Sequence, residues 1–138
     1  MSTVSAALAR HVVARAADCC EYCGLAQAGQ EATFHVDHIL PLSAGGPTEI
    51  GNLALACVSC SLRKGARQVA PDPATGQDVP LFNPRQQNWT DHFRWQGVEV
   101  TALTPTGRAT VAALEMNRPL ILAIRKEETL RGRHPPPA

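Results

Sequence analysis

NLALACVSCSLRKG, residues 52–65, is the stretch on which the fold turns. Its first half, Asn52-Leu-Ala-Leu-Ala-Cys57, reads as a strand, and the segment after Cys60 reads as a short helical turn stopped by Gly65. Between them stands Cys57-Val-Ser-Cys60. Two residues between cysteines let both thiolates face one centre while backbone amides turn inward to support them. A second pair of the same spacing, Cys20-Glu-Tyr-Cys23, lies upstream and is followed by Gly24, whose conformational freedom suits a tight knuckle. Brought together, Cys20, Cys23, Cys57 and Cys60 make a tetrahedral four-sulfur cage suited to a structural Zn²⁺. Disulfides fit poorly with an odd cysteine count and no signal peptide, and a redox motif would use one pair rather than two. An iron–sulfur cluster is the remaining rival. Cys19, the fifth cysteine, is expected to pack as a small apolar residue at a helix end.

The cage would pin the ends of an intervening loop that contains FHVDHILPLSAGG, residues 34–46. Here Phe34, Val36 and His38 alternate with His35, Asp37 and Ile39, as on a strand. Pro41 ends that run, and Gly45-Gly46-Pro47 predicts a mobile turn. The unit is therefore strand, loop, strand and short helix, closed by sulfur ligands.

A chain of 138 residues fits one modest core with appendages. Three Phe, two Trp and one Tyr are few large rings, so a staple such as the cage is in keeping. Residues 1–60 carry two Arg against five acids, net −3, and residues 61–138 carry eleven Lys/Arg against seven acids, net +4. Acids thus accompany the candidate ligands and bases follow them, an asymmetry compatible with a site that holds cations and meets phosphates. No apolar run is long enough to span a bilayer. The N-terminus has Val4, Leu8 and Val12 on one helical face, interrupted by charges that argue against a targeting segment, so a cytoplasmic location is expected.

DHILP, the downstream GG…NLALAC and C-x-x-C followed by K-G together resemble the HNH endonucleases of ββα-metal (His-Me finger) fold, in their zinc-stapled form. The likeness is strong over residues 20–65. DPATGQDVPLFNPRQQNWTDHFRW and LTPTGRATVAALEMN are similar to the C-terminal extension of bacterial HNH proteins. The resemblance implies an α+β fold and a hydrolase that cuts DNA phosphodiester bonds. It implies His38 as general base, Asp37 as ligand to a catalytic Mg²⁺ or Mn²⁺, and Asn52 as the middle asparagine that ties the loop and orients the His38 ring. One position departs: the family usually has Asn or His after the last cysteine as a second ligand to that ion, and here it is Ser61, with His35 or water available to fill the gap. His35, Arg63, Lys64 and Arg67 are the candidate nucleic-acid contacts. DNA is the expected partner, with no membrane and no small-molecule substrate. The alternatives are a non-catalytic zinc-stapled nucleic-acid-binding module and a protein-interaction adaptor, of which the adaptor leaves the adjacent Asp37 and His38 unexplained.

The domain organisation expected is residues 1–69 as nuclease unit with an N-terminal helix, and residues 70–138 as an extension packed on it. Residues 70–87 read as an extended, turn-rich connection and Val98, Val100 and Ala102 as a short strand. His92 is expected to pack beside Trp89 and Trp95. Thr104-Pro105 opens a helix through Met116, Pro119 begins another to about Leu130, and the proline-rich tail HPPPA is expected to fray.

Overall fold

In the computed structural model, which describes residues 4–137, the chain is α+β, with five helices and three two-stranded antiparallel sheets among the described residues. Residues 1–3 of the expected nuclease unit and Ala138 of the expected tail lie outside the described residues.

Helix α1 spans Ala6–Arg15 and is capped by Ser5, whose hydroxyl accepts from the Leu8 amide at 3.2 Å. Its inward face buries Val12 completely, with Val4 and Leu8 packed on the same core. Ala17 and Asp18 then take left-handed backbone angles, φ 51° and 56°, which turn the chain sharply into the first cysteine pair. Gly24 closes that knuckle at φ +77°, and a Cβ there would meet Trp95 Cζ2 and Pro136 Cγ, each at 2.9 Å.

Strand β1, His35–His38, pairs antiparallel with β2, Leu53–Ala56, in a register that sets His35 against Ala56 and His38 against Leu53. β2 is buried along its whole length, because the cage lies at its end and α1 covers its face. Truncating Leu53 or Leu55 there would cost about 2–5 kcal/mol each. Helix α2, Val58–Lys64, follows directly, and Gly65 ends it. The helix begins within the C-x-x-C rather than after Cys60, since the Cys57 thiol caps it by accepting from the Cys60 amide at 3.4 Å. Among the described residues no helix is long and apolar enough to cross a membrane.

The extension differs from the sequence reading in detail. The segment expected to be a featureless connection contains a hairpin, β3 Val69–Pro71 with β4 Asp78–Pro80, turned around Asp72, whose carboxylate binds Arg108 through two bonds of 2.9 Å. Helix α3 is one turn, Trp89–His92, and the expected lone strand is half of a second hairpin, β5 Phe93–Gln96 with β6 Glu99–Ala102. α4, Pro105–Ala113, is capped by Thr104, and α5 runs Pro119–Leu130. His92, expected beside Trp89 and Trp95, packs instead on the rings of Phe82 and Phe93, and its Nδ1 lies 2.6 Å from the Thr104 hydroxyl. The tail expected to fray instead returns to the hairpin: the His134 ring meets Trp95 edge-on at 4.6 Å, and its Nε2 lies 2.9 Å from the Gly97 carbonyl.

Several contacts hold the extension to residues 20–65. Trp89 Nε1 donates to the Tyr22 carbonyl at 2.8 Å, Phe82 packs edge-on to Tyr22, and Arg85 forms an ion pair with Glu21. Glu21 in turn accepts from the Leu55 amide at 2.8 Å, which ties the extension, the first knuckle and β2 together.

Candidate metal centre and active site

The four sulfurs of Cys20, Cys23, Cys57 and Cys60 all lie within 4.8 Å of one another and all four residues are buried. Each pair is shaped by a local turn, with the Cys23 amide 3.5 Å from Cys20 Sγ and the Cys60 amide 3.4 Å from Cys57 Sγ. A tetrahedron with sulfur about 2.3 Å from zinc has edges of about 3.8 Å; the Cys23–Cys57 sulfur separation is 3.7 Å. Sulfurs so close resist ionising together. Cys57 is held far below the ordinary thiol range by hydrogen bonds from Cys20, Cys23 and Cys60, while bonds with Cys20 and Cys57 and then burial push Cys23 well above it, and bonds with Cys20, Cys23 and Cys57 and then burial do the same for Cys60. A divalent ion is what allows all four to deprotonate. Geometry and donor set therefore fit a structural metal such as zinc. Cys19 stands apart, partly exposed and bridged through its backbone to Ala26.

The second cluster lies where β1 meets α2. Asp37 and His38 point to opposite sides of the strand, yet both line one cleft of about 280 Å³, together with Pro41, Leu42 and Ser43 and the turn residues Gly65 and Ala66. Burial raises the Asp37 carboxyl above its usual range, and the Lys64 ammonium, 3.0 Å from Oδ2, works against that rise. This contact is off the hydrogen-bonding direction, so Oδ2 is buried with no aligned donor. Lys64 also donates to the His38 carbonyl at 3.1 Å. Only 2 % of Lys64 is exposed, so the surface phosphate contact expected of it gives way to an internal counter-ion.

The other expected site residues are placed as follows. His35 is exposed, and its Nδ1 lies 2.8 Å from the Ser61 hydroxyl, which joins the start of β1 to α2. The Asn52 amide ties the loop, accepting from the Leu40 amide at 2.9 Å and donating to the Leu40 and Pro47 carbonyls at 3.0 and 2.9 Å. All three partners are backbone, and the His38 ring is met by another residue: Thr48, whose hydroxyl is 2.8 Å from Nε2. Thr48 carried no sequence signal, because a lone threonine in a turn looks like any other. The double glycine forms a bonded turn rather than a mobile one. Gly46 donates to the Pro41 carbonyl at 3.0 Å, and a Cβ on it would sit 1.8 Å from the Leu40 carbonyl oxygen. Arg63 pairs with Glu115 and lines a groove with Arg118 and Leu120, away from the Asp37 cleft. Arg67 is exposed.

Arg15 is a further residue that pattern reading did not single out. From the last turn of α1 it donates to the Ile50 and Leu53 carbonyls at 2.8 and 2.6 Å, fixing the loop as it enters β2.

Residues 20–67 match the family model described as HNH endonuclease. No curated protein and no solved structure matches the chain. The matched segment begins at the first cage cysteine, ends just past α2, and contains all four sulfur ligands, the Asp37–His38 pair and Asn52. Over residues 20–67 the chain is thus similar to the HNH endonuclease family, and its four cysteines are disposed in a way consistent with the zinc-stapled kind.

Proposed function

We propose that this domain is a metal-dependent endonuclease that hydrolyses DNA phosphodiester bonds with little sequence preference of its own. The observation that carries the reading is the opening of Asp37 and His38 into a single cleft. Asp37 would hold a Mg²⁺ or Mn²⁺ ion, for which a buried carboxylate oxygen without an aligned donor is a suitable ligand. His35 and Ser61, bonded to each other, would complete the protein side of that ion site. When bound, the ion supplies charge neutralisation at the phosphate and at the departing 3′ oxygen. His38 takes the proton from the attacking water, as an imidazole can near neutral pH. Thr48 holds the ring through Nε2 and Lys64 holds the residue's carbonyl, so the base is fixed at ring and backbone alike and Nδ1 is left to receive the proton. Asn52 acts indirectly, by keeping the loop that carries Thr48 against β1. Arg67, exposed and next in sequence to the cleft residue Ala66, would offer a cation to backbone phosphates.

The test is nicking of supercoiled plasmid by the zinc-loaded chain with Mg²⁺ or Mn²⁺. The expected result is relaxed circles, abolished by EDTA and reduced at least about a hundredfold by His38→Ala. Cleavage that survives His38→Ala at the original rate sinks the mechanism.

A second reading, a non-catalytic DNA-binding module, draws on the Lys64 ammonium already seated at the Asp37 carboxylate. Plasmid retarded in the presence of EDTA, but never nicked by any divalent ion, would select it.

A further inference from the structure

The extension sends one buried charged side chain to the backbone of a cage cysteine. Arg125, on the inner face of α5, is only 2 % exposed. Its Nη1 donates to the Val98 carbonyl at 2.9 Å and lies 3.4 Å from Asn117 Oδ1, and its Nη2 donates to the carbonyl of Cys23 at 3.3 Å. The guanidinium carbon lies 5.0 Å from the centre of the Trp95 ring, and Nε has no partner. Among the described residues, Arg63, Arg85, Arg108, Arg131 and Arg133 have carboxylate partners within ion-pair distance, whereas Arg125 has carbonyl and amide oxygens only.

A buried cation without a carboxylate is costly unless negative charge lies nearby. Four thiolates around a divalent zinc leave two negative charges, equally buried.

We infer that Arg125 is the counter-charge of the tetrathiolate centre, and that zinc loading and docking of α5 on the HNH domain are therefore linked. Each event leaves a bare buried charge without the other, and linkage makes the coupling reciprocal. Asn117 belongs to the same device. It bonds Val100 through both its oxygen and its nitrogen at 2.8 Å, presenting β6, and with it the Val98 carbonyl, to the arginine. The inference holds whether or not the domain cuts DNA.

The experiment is chelator competition for zinc on the full chain carrying Arg125→Gln or Arg125→Lys, with Glu128→Gln as a control on the same helix. Arg125→Gln is expected to hold zinc about tenfold more weakly, Arg125→Lys to recover most of the loss, and Glu128→Gln to match the parent. Cobalt-substituted Arg125→Gln should keep the tetrathiolate absorption, since the sulfurs remain. Unchanged zinc affinity in Arg125→Gln, or an equal loss in all three variants, overturns the role. Should Arg125→Gln fail to fold, hydrogen exchange on the parent chain decides. Zinc should protect the amides of α5 more than those of α4, and equal protection of the two helices overturns the linkage.

Discussion

The two ends of α2 are built on different terms. At its start, Cys57 and Cys60 are buried, matched by an equivalent pair in Cys20 and Cys23, and positioned by a local turn that needs nothing beyond four consecutive residues of chain. Beyond the second cysteine, Ser61 in mid-helix and Lys64 at the far end acquire their roles only from residues 26 and 27 positions away, His35 and Asp37. A ligand set made from a repeated local motif is complete as soon as its halves meet. One assembled from single side chains on different elements depends on every element holding its place, and here a serine and a lysine ammonium stand where an ion is proposed to bind. A metal cage can be robust while the cluster proposed as an active site beside it remains adjustable.

The comparison predicts unequal responses to mutation. The largest concerns the start of the helix: Cys57→Ser should remove zinc and most of the fold with it, since structural zinc contributes on the order of 10 kcal/mol in small domains. Metal analysis should read about one zinc per chain in the parent, and circular dichroism should show the variant unfolded; a variant both folded and metal-free breaks the comparison at its root. The second concerns the loop that feeds the far end. Asn52→Ala deletes three backbone contacts and should cost about 2 kcal/mol while zinc stays bound, checked by denaturant melts beside metal analysis. Loss of zinc in this variant would mean that the two ends do not separate. The third sharpens the contrast by completing the weaker site: Ser61→Asn offers a better ligand for a hard ion and should raise divalent-dependent nicking about fivefold, or ~1 kcal/mol in barrier. A lower or unchanged rate would remove Ser61 from the ion site. The smallest tests a residue inside the first pair. Tyr22 buries a hydroxyl with no partner, so Tyr22→Phe should leave stability equal or raise it by up to about 1 kcal/mol; a clear loss in thermal melts would mean that the hydroxyl is bonded.

Much of the domain was legible because its signals are local. The paired C-x-x-C spacings fixed the cage, alternation around Asp37 and His38 marked β1, and Thr104-Pro105 and Pro119 marked the starts of α4 and α5. What escaped was short or single. The β3 and β4 strands are three residues each and end in prolines at Pro71 and Pro80, residues that read as breakers until the partner strand is known. The β5 strand was hidden because Trp95 was read as a packing ring for His92 rather than as one position of a hairpin strand. Lys64 read as surface charge because composition does not say that an acid will meet it inside.

The sequence by itself determined the cage, the strand–strand–helix order and the adjacency of an acid and a histidine, all of which follow from spacings shorter than one turn or one pleat. Tertiary structure alone decided that Thr48 rather than Asn52 meets the histidine ring, that Lys64 faces inward onto Asp37, and that Arg125 reaches the cage from 102 residues away. The physical reason is common to all three. A long-range polar contact is selected by what burial leaves unpaired, and the cost of an unpaired buried group exists only once the chain has closed around it.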